Sequence, residues 1–205
     1  MLYNVYMIIL NENQVDEVVS LFNQGKIIAF ATDTVYGLGC RYDLKSAIDK
    51  IKLAKGRDEK KPLPMMVATI KEMQQVAKID ETAEKLIKHF MPGAFTIILE
   101  KKEEVPFYVT NGFNTIGIRI PDVAFIQEVL TKLQKPMLVT SANKSDTPSL
   151  TKAQDVIDTM GCDIDAIVMG ECMGDMASTI VDATNRFKVI RLGKITQEEI
   201  EGVLQ

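Results

Sequence analysis

A chain of 205 residues, 46% apolar and 25% charged, has the make-up of a soluble globular protein and the length of one large or two small domains. Its formal net charge of −4 argues against a general electrostatic grip on nucleic acid and leaves only a local basic patch for that purpose. No run reaches the roughly 18 apolar residues of a membrane span, and Cys40, Cys162 and Cys172, which lack CxxC spacing, point to reduced thiols in a cytosol and away from a zinc site.

The first residues, MLYNVYMIILNENQ, carry a short apolar run but neither a basic leader nor a small-residue cleavage site, so no signal peptide is expected. After Asn13, apolar residues at Val15, Val18, Val19 and Phe22 predict a helical face, stopped by NQGK with Gly25 in the C′ position. IIAFA (27–31) reads as a buried strand. LKSAIDKIKLAK (44–55) reads as a Lys-rich helix ended by Gly56. A strand over 64–69 and helices over 70–78 and 81–90 follow, then strands over 94–101 and 115–121. A helix over 123–134 leads to a buried strand, PMLVT (136–140), and another helix lies over 152–160. DAIVMG, STIVDAT and FKVIRLG are three late strands. Thr196 with Glu199 forms a capping box, and Ile195 with Ile200 a hydrophobic staple, so a short helix closes the sequence. No repeat, low-complexity segment or linker intervenes, which predicts one compact domain over 1–205. Helices and strands interleave irregularly, which fits an α/β domain with a mixed sheet better than a strict βαβ repeat.

Polar groups gather just after apolar strands, where open α/β sheets place their sites. The stretch FATDTVYGLGC (30–40) turns polar at Thr32, Asp33 and Thr34, then places Tyr36 between apolar neighbours and two glycines, Gly37 and Gly39. KGRDEKKP (55–62) bunches Lys55, Arg57, Lys60 and Lys61. Arg119 in GIRIP, the loop TSANKSDTPS (140–149), Ser178-Thr179 and Arg191 in IRLG complete the set. Each has an ordinary reading: helix lysines as a solvated face, strand-end hydroxyls as caps and turns, Arg119 as a strand ion pair. His89 is the sole histidine, so Ser–His or Cys–His catalysis has little support. Asp33, Asp43, Asp58 and Asp182 lack metal-ligand spacing. Together the clusters describe a polyanion site, with a triphosphate as the obvious occupant. There is no GxxxxGK[ST], and Gly37 and Gly39 lack the third glycine of GxGxxG. Any nucleotide must therefore be held by Lys, Arg and loop backbone rather than by a P-loop.

TDTVYGLGC, KGR…KP, PGAFTIIL, TIGIRIP, TSAN, STIVD and IRLG stand here in the order and approximate spacing of the YrdC/Sua5 family. The chain resembles its threonylcarbamoyl-AMP synthases over roughly residues 20–200, with a length similar to the single-domain bacterial form. The resemblance implies a three-layer α/β fold with a twisted mixed, largely antiparallel sheet around a basic cavity. It implies a cytoplasmic nucleotidyltransferase that joins L-threonine, bicarbonate or CO2, and ATP into threonylcarbamoyl-AMP and pyrophosphate. The product then serves N6-threonylcarbamoylation of the adenosine beside the anticodon in ANN-reading tRNAs, by way of a downstream tRNA threonylcarbamoyltransferase. By position in the motifs, Lys55, Arg57, Ser141 and Asn143 correspond to the catalytic tetrad. Arg57, Lys61, Thr115, Ser141, Asn143, Ser149 and Arg191 correspond to ATP contacts. Thr34, Arg119, Ser178 and the backbone of Val139 correspond to threonine contacts. Arg119 is expected to fork onto the amino acid's carboxylate, because Ile118 and Ile120 face the other side of its strand. Mg²⁺ is expected to arrive with ATP; no tightly bound cofactor and no protein metal site are expected.

Two departures stand out. Met66 occupies a place where longer members often carry His, and Asp146 stands where the family usually has Gly. Three other readings compete. One is a non-enzymatic module binding double-stranded RNA or tRNA, and direct tRNA contact stays open on the sequence. Another is a YciO-type paralogue, which lacks an intact SxN element. The third, the carbamoyl-transfer module of hydrogenase maturation proteins, sits in much longer chains.

Overall fold

A computed structural model describes residues 7–56, 58, 61–185 and 187–205. Among them a ten-stranded sheet runs in the order β1-β8-β2-β3-β7-β4-β6-β5-β9-β10. The strands are β1 (Ile8–Asn11), β2 (Ile28–Phe30), β3 (Gly37–Arg41), β4 (Met65–Met66), β5 (Phe95–Glu100), β6 (Thr115–Arg119), β7 (Met137–Ser141), β8 (Ala166–Met169), β9 (Thr179–Asp182) and β10 (Lys188–Arg191). Five neighbouring pairs are antiparallel and four parallel, so the sheet is mixed, with antiparallel pairing only slightly ahead.

Helices cover both faces. α1 (Val15–Asn23) and α5 (Ala124–Leu133) pack Val18, Phe22, Ile126, Val129 and Leu130 on one side, against Ile28, Phe30, Met137 and Val139. α2 (Lys45–Lys55), α3 (Ile70–Val76), α4 (Glu81–Phe90), α6 (Ala153–Met160) and α7 (Gln197–Leu204) supply the larger core on the other, around Leu38, Met65, Ile97, Ile118 and Leu138. These are the three layers expected of the fold. Gly56 caps α2 in the left-handed region at φ 60°, and Gly25 follows α1 at φ 73°, as their positions predict. The Thr196–Glu199 capping box is formed on both sides.

β1 and β3 are additions to the sequence reading. β3 pairs with β2 and β7, and Gly37 and Gly39 lie within it. A Cβ on Gly39 would stand 2.9 Å from Phe30 Cε1, and one on Gly37 3.0 Å from Val139 Cγ1. The glycines therefore admit the Phe30 ring and Val139 against the sheet, at the expense of strand propensity.

Candidate active site

On the α1/α5 side of the sheet lies a cavity of about 300 Å³. Met66 and Val139 mark its border, since both pack in the core beneath α1 and α5 and both line the cavity. Strand alternation delivers the rest. Thr115, Gly117 and Arg119 of β6 face the cavity, while Ile116 and Ile118 face the opposite core. In β5, Thr96 and Ile98 face it, and Phe95, Ile97 and Leu99 do not. β10 needs a device to comply. Val189 pairs with Val181 but Arg191 pairs with Ile180, so Ile190 is bulged out and half exposed. Ile180 lines the cavity, and the bulge gives Arg191 rather than Ile190 the place beside it.

The inner end is a buried polar cluster. Arg119 is 5% exposed and pairs with Asp33 at 2.5 Å. Its Nε donates to the Gly93 carbonyl at 2.9 Å, and its Nη1 to Thr34 Oγ1 at 3.1 Å. The Thr32 hydroxyl donates to the Val35 carbonyl at 2.7 Å, so Thr34 supplies the proton of the 2.8 Å Thr32–Thr34 contact. Thr34 Oγ1 thus keeps one lone pair for a ligand donor. Thr96 and Ser178 share a hydroxyl contact of 2.8 Å in the same wall. Arg191 donates to the Ser178 carbonyl through Nε at 3.2 Å and Nη2 at 2.8 Å. Burial, and then the nearby Arg119 cation, lower its pKa.

Behind the cavity, Lys55 is buried at 3% exposure. Its Nζ donates to the carbonyls of Ser141 (2.5 Å) and Asn143 (2.6 Å) and to Asn143 Oδ1 (3.1 Å). Ser141 Oγ, a lining group, also donates to Asn143 Oδ1 at 2.5 Å. The Asn143 amide nitrogen donates to the carbonyls of Lys144 and Thr147. The Asn143 side chain is thereby saturated, and both it and Lys55 are hydrogen-bonded to Ser141, which lines the cavity.

Of the residues singled out by motif, Thr34, Thr115, Arg119, Val139, Ser141, Ser178 and Arg191 line one cavity. Lys55 and Asn143 stand behind it, not in its lining. Lys61 and Ser149 are exposed and outside the lining. Arg57 and Lys60 lie outside the described residues. Asp146 has φ 63°, a left-handed conformation that suits glycine and that Asp tolerates better than most residues. Met66 runs beside Arg119 in register, making that wall apolar. Thr96 was missed because a Thr inside an apolar strand, AFTIIL, gives no signal of its own. Asp33 stands out in the sequence as a polar residue after a strand, but its partner Arg119 is 86 residues away.

The groups present define the chemistry. Among the described residues the lining holds two guanidinium groups and several hydroxyls, and no carboxylate. Burial pushes the Tyr36 hydroxyl up to about 12, so it stays neutral, and burial also raises the Cys172 thiol. Neither is an activated nucleophile. Gly193 adds a structural constraint: a Cβ there would overlap the Ala177 carbonyl and the Thr179 amide. Gly193→Ala is expected to destabilise the protein by about 1–3 kcal/mol through this overlap. Thermal melting checks it, and an unchanged Tm would show that the segment following β10 yields freely.

A mixed α/β sheet that presents two arginines and a row of hydroxyls to one cavity has the chemistry to receive small anions. The family model described as telomere recombination, that of Sua5, YciO and YrdC, matches residues 20–193. The chain belongs to this family. A threonylcarbamoyl-AMP synthase of Pyrococcus abyssi is 37% identical over 88% of this chain and 54% of that protein. The crystal structure of P. abyssi Sua5 complexed with L-threonine superposes with a TM-score of 0.92 at 34% identity, covering 97% of this chain and 61% of that one. The crystal structure of E. coli YciO gives 0.85 at 25% identity, covering 95% and 98%. The chain therefore spans just over half the length of its synthase relative and nearly the full length of YciO.

Proposed function

We propose that the chain is an L-threonylcarbamoyladenylate synthase. The observation that carries this reading is the cavity itself. Arg119, Thr34, Ser178 and Val139 line one cavity together with Arg191, Thr115 and Ser141. The first group supports threonine and the second the phosphates of ATP, with Lys61, Ser149 and Arg57 assigned to ATP by motif alone. Threonine's amine adds to CO2 and loses a proton, giving an N-carboxylate. One of its oxygens attacks the α-phosphorus, an O–P bond forms, and the bond to the β-phosphate oxygen breaks to release pyrophosphate. Both reactants are anions, so the protein's work is alignment and charge neutralisation. No covalent protein intermediate is required, which suits a site whose neighbouring thiol and phenol are held protonated.

The lining offers no carboxylate to hold a metal, and the described residues include no cluster of three or more His, Cys, Asp or Glu. Mg²⁺ is assigned to the triphosphate, whose charge it would offset. No helix among the described residues is long and apolar enough to cross a membrane. Cytoplasmic placement, service to the tRNA threonylcarbamoyltransferase machinery and a single domain over 1–205 belong to the same proposal.

The test is pyrophosphate release with each component omitted in turn. Release should require ATP, L-threonine, bicarbonate and Mg²⁺ together, and a rate indifferent to threonine would overturn the reading. Valine should be a poorer substrate by about 100-fold or more, since a site that hydrogen-bonds a hydroxyl rejects the analogue lacking it. Equal turnover of the two would remove Thr34 and Ser178 from side-chain recognition. The structural likeness to YciO supports a second reading, a YciO-type paralogue. The intact, mutually bonded Ser141–Asn143 pair speaks for the synthase.

A further inference from the structure

Two guanidinium groups facing one small cavity form a general anion trap. Left alone, they would hold a phosphate as readily as a carboxylate. Arg119 and Arg191 are close enough for the first to disfavour the charge of the second. Of the two, only Arg119 has a counterion among the described residues. The Asp33 carboxylate lies 2.5 Å from Arg119 Nη2, with both side chains more than nine-tenths buried. No carboxylate of the described residues lies within ion-pair distance of Arg191.

The pairing leaves donors in place. Arg119 has five N–H groups, and three are committed, to Gly93, Thr34 and Asp33. One N–H remains on each terminal nitrogen, the number a carboxylate fork accepts. Arg119 can therefore still recognise a carboxylate through directed hydrogen bonds, although its net charge is cancelled locally. Polyphosphates respond far more strongly than monoanions to net charge, because the interaction scales with the product of the charges. A neutralised inner end and a cationic Arg191 would sort the two anions within one cavity.

We infer that Asp33 is a specificity-determining residue: by neutralising Arg119 it reserves the inner end of the cavity for a single carboxylate and turns phosphate groups toward Arg191. This rests on the substrate assignment above, and Asp33 itself touches neither anion. It acts as a positioning residue through Arg119.

Asp33→Asn tests the inference. Asn keeps the shape and an acceptor for Arg119 Nη2 but removes the charge. Calorimetry with L-threonine and with inorganic pyrophosphate, separately and together, reads the result. In the unaltered protein pyrophosphate should not displace threonine. In Asp33→Asn pyrophosphate affinity should rise by about 10-fold or more, pyrophosphate should now compete with threonine, and threonine affinity should change less. Asp33→Glu should restore the discrimination. Unchanged or weaker pyrophosphate binding in a folded Asp33→Asn protein would overturn the inference, as would displacement of threonine by pyrophosphate in the unaltered protein. The latter arm holds even if the variant does not fold. Failure of the unaltered protein to bind L-threonine at all would instead overturn the substrate assignment, and the inference with it.

Discussion

Lys55→Ala is expected to lower the rate of pyrophosphate release by about 10²–10³-fold, with threonine affinity changed by less than about 10-fold. Lys55 ends α2 and buries its ammonium beneath the 141–143 segment. It donates to the carbonyls of Ser141 and Asn143 and to the Asn143 amide oxygen. Removing it takes the fixed charge from behind Ser141 and leaves those acceptors short of a donor, each at a cost of about 1–3 kcal/mol. Stability should fall as well. Lys55→Arg, which keeps the charge, should recover part of the stability but misplace the segment, because a planar fork cannot reproduce three converging bonds. A folded Lys55→Ala protein with unaltered turnover would show that the buried ammonium is structural only.

Arg119→Lys is expected to weaken threonine binding by about 100-fold while leaving binding of a non-hydrolysable ATP analogue within a few-fold. The guanidinium holds three partners on three nitrogens, and Arg119 lines the cavity with Thr34 and Ser178. An ammonium can keep the ion pair with Asp33 but cannot also span Gly93, Thr34 and a carboxylate. Arg191 and Ser141 are untouched by the change, so the phosphate end should persist. Calorimetry with both ligands decides. Equal losses for threonine and the ATP analogue would mean that Arg119 serves the shape of the cavity rather than one substrate.

Much of this was legible in the chain. The alternation in TIGIRIP places Thr115 and Arg119 on one face of β6 and Ile116 and Ile118 on the other, as the structure does. Gly56 and the Thr196–Glu199 pair announce helix ends that are formed as read. What escaped depends on partners distant in sequence. β1 is four residues long, and its register is set by β8 more than 150 residues on. β3 carries two glycines, so propensity hides it, and the Phe30 ring over Gly39 and Val139 against Gly37 explain them. The bulge that turns Arg191 inward is invisible in FKVIRLG, where simple alternation gives no sign of the extra residue. The motifs also do not tell lining from support. Ser141 and Asn143 are two residues apart, yet one faces the cavity and the other braces it from behind.

Mass spectrometry of the reaction product tests the central claim most directly. The protein is incubated with ATP, Mg²⁺, L-threonine and ¹³C-bicarbonate, and the nucleotide fraction is read before the labile product decays. The account predicts an adenylate that carries both threonine and one ¹³C atom, formed in step with pyrophosphate and absent when threonine is left out. ATP turnover without that labelled adenylate, or no turnover with all four components present, would contradict it.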